Sequence, residues 1–417
     1  MTACGLDFGT SNTTLGIVRG NGVALAPLEG GDTTLPSAVF FDFEEHRPVF
    51  GRSAMAAYVA GAEGRLMRSL KSVLGTPLID EDTLLQSRRI GFRQVIGLFV
   101  GHAKSVAEAA LGRELTHVVH GRPVHFVDGD AEADQRAENA LRWIARDAGF
   151  TEVSFQYEPI AAALHYEMQT VREEVALIAD IGGGTSDFSI VRIGPERAGR
   201  ADRAADILAN DGVRIGGTDF DRLLSLEAVM PHLGFRAPLR GDLLTPNGWY
   251  HDLATWAKIN FLYTPATLAE VRRVKAQAVR PRLLERLETV LTRHLGHTLA
   301  MRVEAAKIAL SAERAHDIDL SAVEPGLDAP ATRGRLADAI AEPVDRLGAM
   351  VRGCLSQAGL AADRVDAVFL TGGSTLLPAV RAAITGAVPA ARVVEGDKFG
   401  AVGLGLTLEA ARRYGAA

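Results

Sequence analysis

Cysteine, lysine and long apolar runs are all scarce in this 417-residue chain, and each shortage removes a class of protein. Cys4 and Cys354 are the only cysteines, and no Cys/His cluster at metal-ligand spacing accompanies them. That excludes a disulfide framework or a zinc site and makes a reducing compartment the default. The apolar run Val95-Ile96-Gly97-Leu98-Phe99-Val100 is far too short to span a bilayer. The N-terminus enters a strand almost at once, with no basic segment followed by a long apolar one, so no signal peptide is expected. No membrane partner and a cytoplasmic location follow. A net charge of −6 argues against a general nucleic-acid surface. Lysine is restricted to Lys71, Lys104, Lys258, Lys275, Lys307 and Lys398. Where arginine is the routine cation, a lysine is more often present for its compact ammonium.

What remains is a globular composition, 47% hydrophobic and 23% charged, with length for two large domains or one bilobed unit. The strongest internal feature is a short phrase written twice. It reads Asp7-Phe8-Gly9-Thr10-Ser11-Asn12, and again Asp180-Ile181-Gly182-Gly183-Gly184-Thr185-Ser186-Asp187. Each copy follows an apolar run and leads into an alternating one, which predicts strand, glycine turn, strand. Glycine there permits positive φ and close approach of backbone to a ligand. Successive amides in such a turn form an anion site, and Thr and Ser hydroxyls add donors. Two copies this far apart predict two related lobes that offer their loops to one polyphosphate.

The rest of the chain alternates strands with helices, the pattern of sheets covered by helices. A meander is expected to about residue 36, with hairpin turns at Gly20-Asn21-Gly22 and Gly30-Gly31-Asp32. A strand is expected over 116–120, broken by Gly121-Arg122-Pro123, then a helix over 131–148 from its apolar spacing. A strand over 153–157 meets a helix starting at Glu158-Pro159, with proline in the first turn. Strands are expected over 175–179 and 365–370, and packed helices from about 378 and over 399–413. The proposed division is a first lobe over 1–172, with an insert at about 37–113 and completion by about 392–417, and a second lobe over 173–391, with an insert at about 218–325.

Asp7, Asp187 and Glu158 form an acidic set, two in the repeated loops and one at a strand-to-helix corner. Mg²⁺ usually keeps several waters and takes one or two carboxylates beside phosphates, so these three suit a cation held mostly through water. The plainer reading of Glu158 is a charge at a helix N-terminus. Glu304, Lys307 and Ser311 share one helical face and can bond a purine and ribose, although spacing alone favours a surface ion pair. Gly216-Gly217-Thr218-Asp219 and Gly372-Gly373-Ser374 are glycine turns before helices, whose first amides attract anions.

Taken together these motifs resemble the nucleotide-binding domain of the Hsp70 chaperones, within the actin/hexokinase/Hsp70 superfamily. The two repeated phrases look like that family's two phosphate loops. Tyr157-Glu158-Pro159-Ile160-Ala161-Ala162-Ala163 is similar to its connecting helix, and Lys71-Ser72-Val73-Leu74-Gly75 to the segment that places its catalytic lysine. The order and spacing run from residue 7 to about 405. Several stretches, among them Gly121-Arg122-Pro123-Val124, look like the short bacterial Hsp70-like proteins of the YegD type. The resemblance implies a duplicated, ribonuclease H-like, bilobed α/β fold with a central nucleotide cleft.

The same resemblance implies ATP or ADP with Mg²⁺ as cofactors and slow hydrolysis. Gly9, Thr10, Ser11, Asn12, Gly182, Gly183, Gly184 and Thr185 would hold phosphates. Gly216, Gly217, Glu304, Lys307, Ser311, Gly372, Gly373, Ser374 and Asp397 would line the nucleoside. Lys71, Thr185, Asp187, Asp7 and Glu158 would carry the chemistry. Where the family places two arginines against adenine this chain has Ile308 and Leu376, so weaker base selectivity is expected. A nucleotide-dependent switch without its own peptide-binding domain is expected, monomeric and coupled to a client, co-chaperone or exchange factor. A small-molecule kinase and a non-hydrolysing nucleotide-binding protein are the alternatives.

Overall fold

The computed structural model describes residues 2–19, 22–86, 88–127, 130–200, 202–241, 243–394 and 400–415. Both glycine phrases are hairpin turns, and each hairpin belongs to a sheet of the same connectivity. In the first sheet the strands lie in the order Glu152–Tyr157, His117–Arg122, Ala3–Phe8, Asn12–Arg19, Gly22–Leu25, with the short Leu35–Pro36 beside Asn12–Arg19. In the second the order is Arg392–Val394, Ala367–Thr371, Glu174–Ile181, Ser186–Ile193, Ile207–Val213. In both, the last three strands of that order are antiparallel neighbours, and the first two lie parallel to the central one (Ala3–Phe8 or Glu174–Ile181). The repeated phrase is thus the local trace of a repeated sheet.

Both faces of each sheet are covered, which is why the central strands read as nearly unbroken apolar runs. Along Glu174–Ile181, Leu177, Ala179 and Ile181 face one core with Phe188 and Ile190, while Ala176 and Ile178 face another. This second core joins the two sheets. It holds Ala3 and Val119 from the first, Phe369 from the second, and two helices between them, Glu158–Glu167 and Ala401–Tyr414. Leu406 is fully buried there, a contribution of roughly 1.5–3 kcal/mol. The helices approach so closely that a Cβ on Gly405 would lie 1.9 Å from the carbonyl oxygen of Ala161, and this contact accounts for the Ala/Gly-rich tail.

Several sequence expectations are corrected in detail. The strand His117–Arg122 runs through Gly121 and stops only at Pro123, which cannot donate to the ladder. The region expected as one insert at 37–113 divides. Ala38–Asp42, Arg47–Phe50 and Gly64–Arg68 form a separate three-stranded sheet. Helix Phe92–Leu111 instead packs Val95, Phe99 and Ala103 onto the first sheet's core. The return to the first sheet begins with helix Ala401–Tyr414 and not at about 392, because Arg392–Val394 is hydrogen-bonded to the second sheet. The strands flanking Gly20-Asn21-Gly22 pair as a hairpin, with residues 20 and 21 outside the described residues. Among the described residues no helix is long and apolar enough to cross a membrane.

Candidate functional site

The two hairpin tips meet. In the first, the amide of Gly9 donates to the carbonyl of Asn12 at 3.1 Å; in the second, Gly182 donates to Thr185 at 2.9 Å. The four-residue closure is the same. None of Gly9, Gly182, Gly183 and Gly184 has positive φ, which corrects the reason given for them above. Proximity is the actual constraint, since a Cβ on Gly183 would lie 2.1 Å from the hydroxyl of Ser11 across the junction. Thr10, Ser11, Gly183 and Gly184 are left with amides that find no hydrogen-bond acceptor among the described residues. Four free donors on abutting turns make a concave site for an anion.

The surrounding motifs brace these loops. Ser37 donates its amide to Ser11 at 2.8 Å and its hydroxyl to the carbonyl of Gly9 at 2.6 Å. In the second loop, the amides of Gly217 and Thr218 donate to Gly182 (2.9 Å) and Gly183 (2.7 Å), and the Thr218 hydroxyl also reaches Gly183. Ser374 donates its hydroxyl to Gly182 at 3.2 Å. Gly216 and Gly217 therefore do not present free helix-entry amides: Gly216 donates to the Asp219 carboxylate at 3.0 Å, and Gly217 to the loop. Gly372, at φ +78°, turns the third glycine segment so that Gly373 and Ser374 pack against the loop.

Beneath the tips lies a charged centre. The register pairs Asp180 with Asp187 across the second hairpin, and Asp7 occupies the matching strand end in the first. Lys71, from a single 3-10 turn after left-handed Ser69, places its ammonium 2.6 Å from the Glu158 carboxylate. Burial works against that ammonium, but Glu158, Asp7 and Asp180 outweigh it, and the Lys71 pKa is raised. Burial pushes Asp7 up to about 8, with Glu158 adding to the shift and Lys71 opposing it. Asp187 is open to the cleft but crowded by protein elsewhere, and with Asp180 and Glu158 beside it rises to about 7. Asp180 is raised in the same way, by burial first and Glu158 next.

Asp180 was absent from the sequence-derived site. Its signal was available, because superposing the two phrases places it on Asp7. A cavity of about 30 Å³, lined in part by Glu158, Asp180, Asp187, Asn210 and Thr371, lies among these groups. That is room for about one water.

The carboxyl groups of Asp7, Asp180, Asp187 and Glu158 outnumber the one ammonium, and a divalent cation would offset the repulsion among them and favour their ionised forms. Among the described residues no three His, Cys, Asp or Glu side chains converge as direct metal ligands. The donor set therefore fits a hydrated Mg²⁺ shared with phosphates and not an all-protein cage.

The raised acids carry a pH signature. Their folded pKa values lie above the ordinary carboxylate value, so the folded state retains protons that the unfolded chain releases. The nucleotide-free protein is expected to lose stability as pH rises from about 4 to about 8, the window set by Asp7 and Asp187. Thermal melts across that range check this. Asp187→Asn should flatten the slope, and an equal slope in the variant counts against the assignment.

Farther along the cleft, Lys307 is buried and bonds Asp221 at 2.9 Å and the carbonyl of Gly217 at 3.2 Å. The surface-pair reading of Glu304 and Lys307 is thereby replaced. Arg68 acts on Glu304 and Asp221, while its guanidinium lies 4.6 Å from the ring centre of Trp256. Tyr58 adds a hydrogen bond to Asn260 at 3.0 Å, so the chain around Tyr58 and Arg68 touches the chain around Trp256 and Asn260.

Ser311 bonds back to the carbonyl of Ile308 at 2.6 Å, and Ile308 itself is exposed. A cavity of about 330 Å³ lies at this end and away from the charged centre. Its walls include Leu310, Leu336, Leu377 and Pro378, with Arg333 bonding the Leu310 carbonyl at 3.0 Å. Asp397 lies outside the described residues.

The family model described as Hsp70 protein aligns with residues 3–230 and 287–413, most of the chain.

Proposed function

The chain belongs to the Hsp70 family, and from that premise we propose that it is a slow Mg²⁺-dependent ATPase that works as a nucleotide-driven conformational switch. The observation that carries this reading is the junction of two like hairpins. Its four amides without an acceptor among the described residues, at Thr10, Ser11, Gly183 and Gly184, lie on the same two hairpins as Asp7, Asp180 and Asp187, whose carboxyl groups interact with Lys71.

In this reading the loop amides, with the hydroxyls of Thr10, Ser11 and Thr185, hold the β- and γ-phosphates. Asp7, Asp180, Asp187 and Glu158 would hold a hydrated cation, which would supply charge neutralisation for the phosphates. Lys71 leaves part of its ion pair with Glu158 to face the γ-phosphate and orient the attacking water. Thr185 accepts from that water. A bond forms from the water oxygen to the γ-phosphorus as the bond from that phosphorus to the β,γ-bridging oxygen breaks, ADP leaves with the electron pair, the water's proton ends on the released phosphate, and positioning and charge carry most of the rate enhancement.

Because each hairpin belongs to a different sheet, a ligand held by both favours one relative placement of the sheets. Glu158 starts the helix that lies between them. Arg122 ties the Pro123 turn to helix Ala131–Asp147 through Asp134 at 2.6 Å, and this turn and Glu158 are the coupling elements we assign.

The test is single-turnover hydrolysis of γ-labelled ATP with Mg²⁺. Turnover below about one per second without any added acceptor is expected, by analogy with unassisted nucleotide switches. Hydrolysis seen only with an added small-molecule phosphate acceptor would instead make the protein a kinase. With aliphatic Ile308 and Leu376 at the base end, ATP and GTP should bind within about tenfold of each other. That follows from the loss of roughly 1 kcal/mol or more per cation–π contact. A titration in which ATP binds far better than GTP contradicts this.

A further inference from the structure

The two stretches aligned with the family leave residues 231–286 between them unaligned. This segment carries nine arginine or lysine residues against four acids, in a chain whose net charge is −6. It also holds four of the eleven large apolar side chains that stand exposed among the described residues. Three of them come together. The amide of Leu239 donates to the carbonyl of Leu243 at 2.7 Å, Val279 donates to Pro238 at 3.1 Å, and Arg240 donates to Gln277 at 2.9 Å. Isolated bridges join Pro238 to Leu244 and Leu239 to Ala278.

Leu239 and Ala278 are buried and anchor this small ladder, whereas Leu243 (60%), Leu244 (58%) and Val279 (58%) are exposed. Arg236, Arg240 and Arg280 lie on the same two segments, are exposed, and have no ion-pair partner among the described residues. Asp242, the one acid in these segments, lies outside the described residues. An apolar cluster rimmed by guanidiniums that make no ion pair among the described residues, with Arg236 resting over the Phe235 ring at 4.8 Å, is the composition of a recognition surface and not of ordinary solvated surface.

We propose that Leu243, Leu244 and Val279, ringed by Arg236, Arg240 and Arg280, form a docking surface for an acidic segment of a partner protein that bears large apolar side chains. The aliphatic groups would take the partner's Leu or Phe. The guanidiniums would take its carboxylates, two at a time where geometry allows. The overall negative charge of the chain discourages nucleic acid, and the surface lies on a segment outside the two stretches aligned with the family.

The probe is an array of fluorescent peptides in which Leu and Phe alternate with Asp and Glu. Matched peptides carry Asn and Gln in place of the acids. Binding to the full chain is read by anisotropy without nucleotide, at low and high salt, so failure of the ATPase reading does not affect the result. The acidic peptides are expected to bind, and to weaken with salt. Arg240→Glu/Arg280→Glu and, separately, Leu243→Ser/Val279→Ser should each lose about tenfold in affinity, about 1.4 kcal/mol, with thermal unfolding unchanged. The proposal is overturned if no acidic peptide binds, if the amide peptides bind equally well, or if the charge-reversed variant binds undiminished. Self-association of the wild-type chain that these same substitutions abolish would also overturn it, because the occupant would then be a second copy.

Discussion

Replacing Lys71 with alanine is expected to cut ATP hydrolysis by about 10²–10³-fold, the usual cost of removing one preorganised charge from a transition state, while nucleotide affinity stays within a few-fold of wild type. The two effects separate because of where the lysine sits. Its ammonium is spent on Glu158 at 2.6 Å in the absence of ligand, and the loop amides that would hold phosphate do not depend on it. Removing the cation leaves Glu158, Asp7 and Asp180 unopposed, so the variant should also bind the divalent cation at least as well as wild type. Single-turnover hydrolysis and calorimetry on the same samples give both numbers. Unchanged hydrolysis would remove Lys71 from the mechanism. A parallel loss of binding would make it a ligand-holding residue.

The second large effect concerns the glycines and separates stability from binding. A Cβ on Gly216 would lie 2.6 Å from the backbone of Gly183 and Gly184, atoms that no rotamer change can move. Gly216→Ala should therefore displace the second loop, destabilise the fold by about 1–3 kcal/mol, and abolish measurable nucleotide binding. A Cβ on Gly184 meets nothing within 4 Å, and that residue does not have positive φ. Gly184→Ala should leave stability unchanged or raise it by about 0.4–1 kcal/mol through the unfolded chain. It should nonetheless weaken nucleotide binding, because the open space beside Gly184 is where the phosphates belong. Melting curves and titrations of both variants test the pair. Normal nucleotide affinity in Gly184→Ala would move the phosphates away from this loop.

Much of this was legible in the sequence because chemistry and chain position coincided. The repeated phrase exposed the two hairpins, and its flanking runs exposed the strands that carry them. Lys71 and Glu158, far apart in sequence, were placed together only through resemblance, and the structure pairs them directly. Asp180 was missed although the repeat itself marks it, because the second copy ends in a more conspicuous acid, Asp187.

Other features left no local trace. Ser37 braces the first loop from a segment with no motif, and its role rests on a tertiary contact with Gly9 and Ser11. The glycines of the loops were explained by backbone freedom, yet their dihedral angles are ordinary and the constraint is a neighbour that no pattern in the chain predicts. The contact of Arg68 with Trp256 joins distant segments and is invisible to any window of sequence. The segment from about 392 was expected to complete the first lobe, but its short strand Arg392–Val394 pairs with the second sheet, and three residues carry no periodicity that would have marked it.

The measurement that bears most directly on the central claim is calorimetric titration of ATP with Mg²⁺ and with chelator, on wild type and on Asp187→Ala. Saturable binding by wild type, strengthened by Mg²⁺, is expected, with that strengthening lost in the variant while the chelator curve is unchanged. Equal binding with and without Mg²⁺ in both proteins, or no binding at millimolar nucleotide, would contradict that claim.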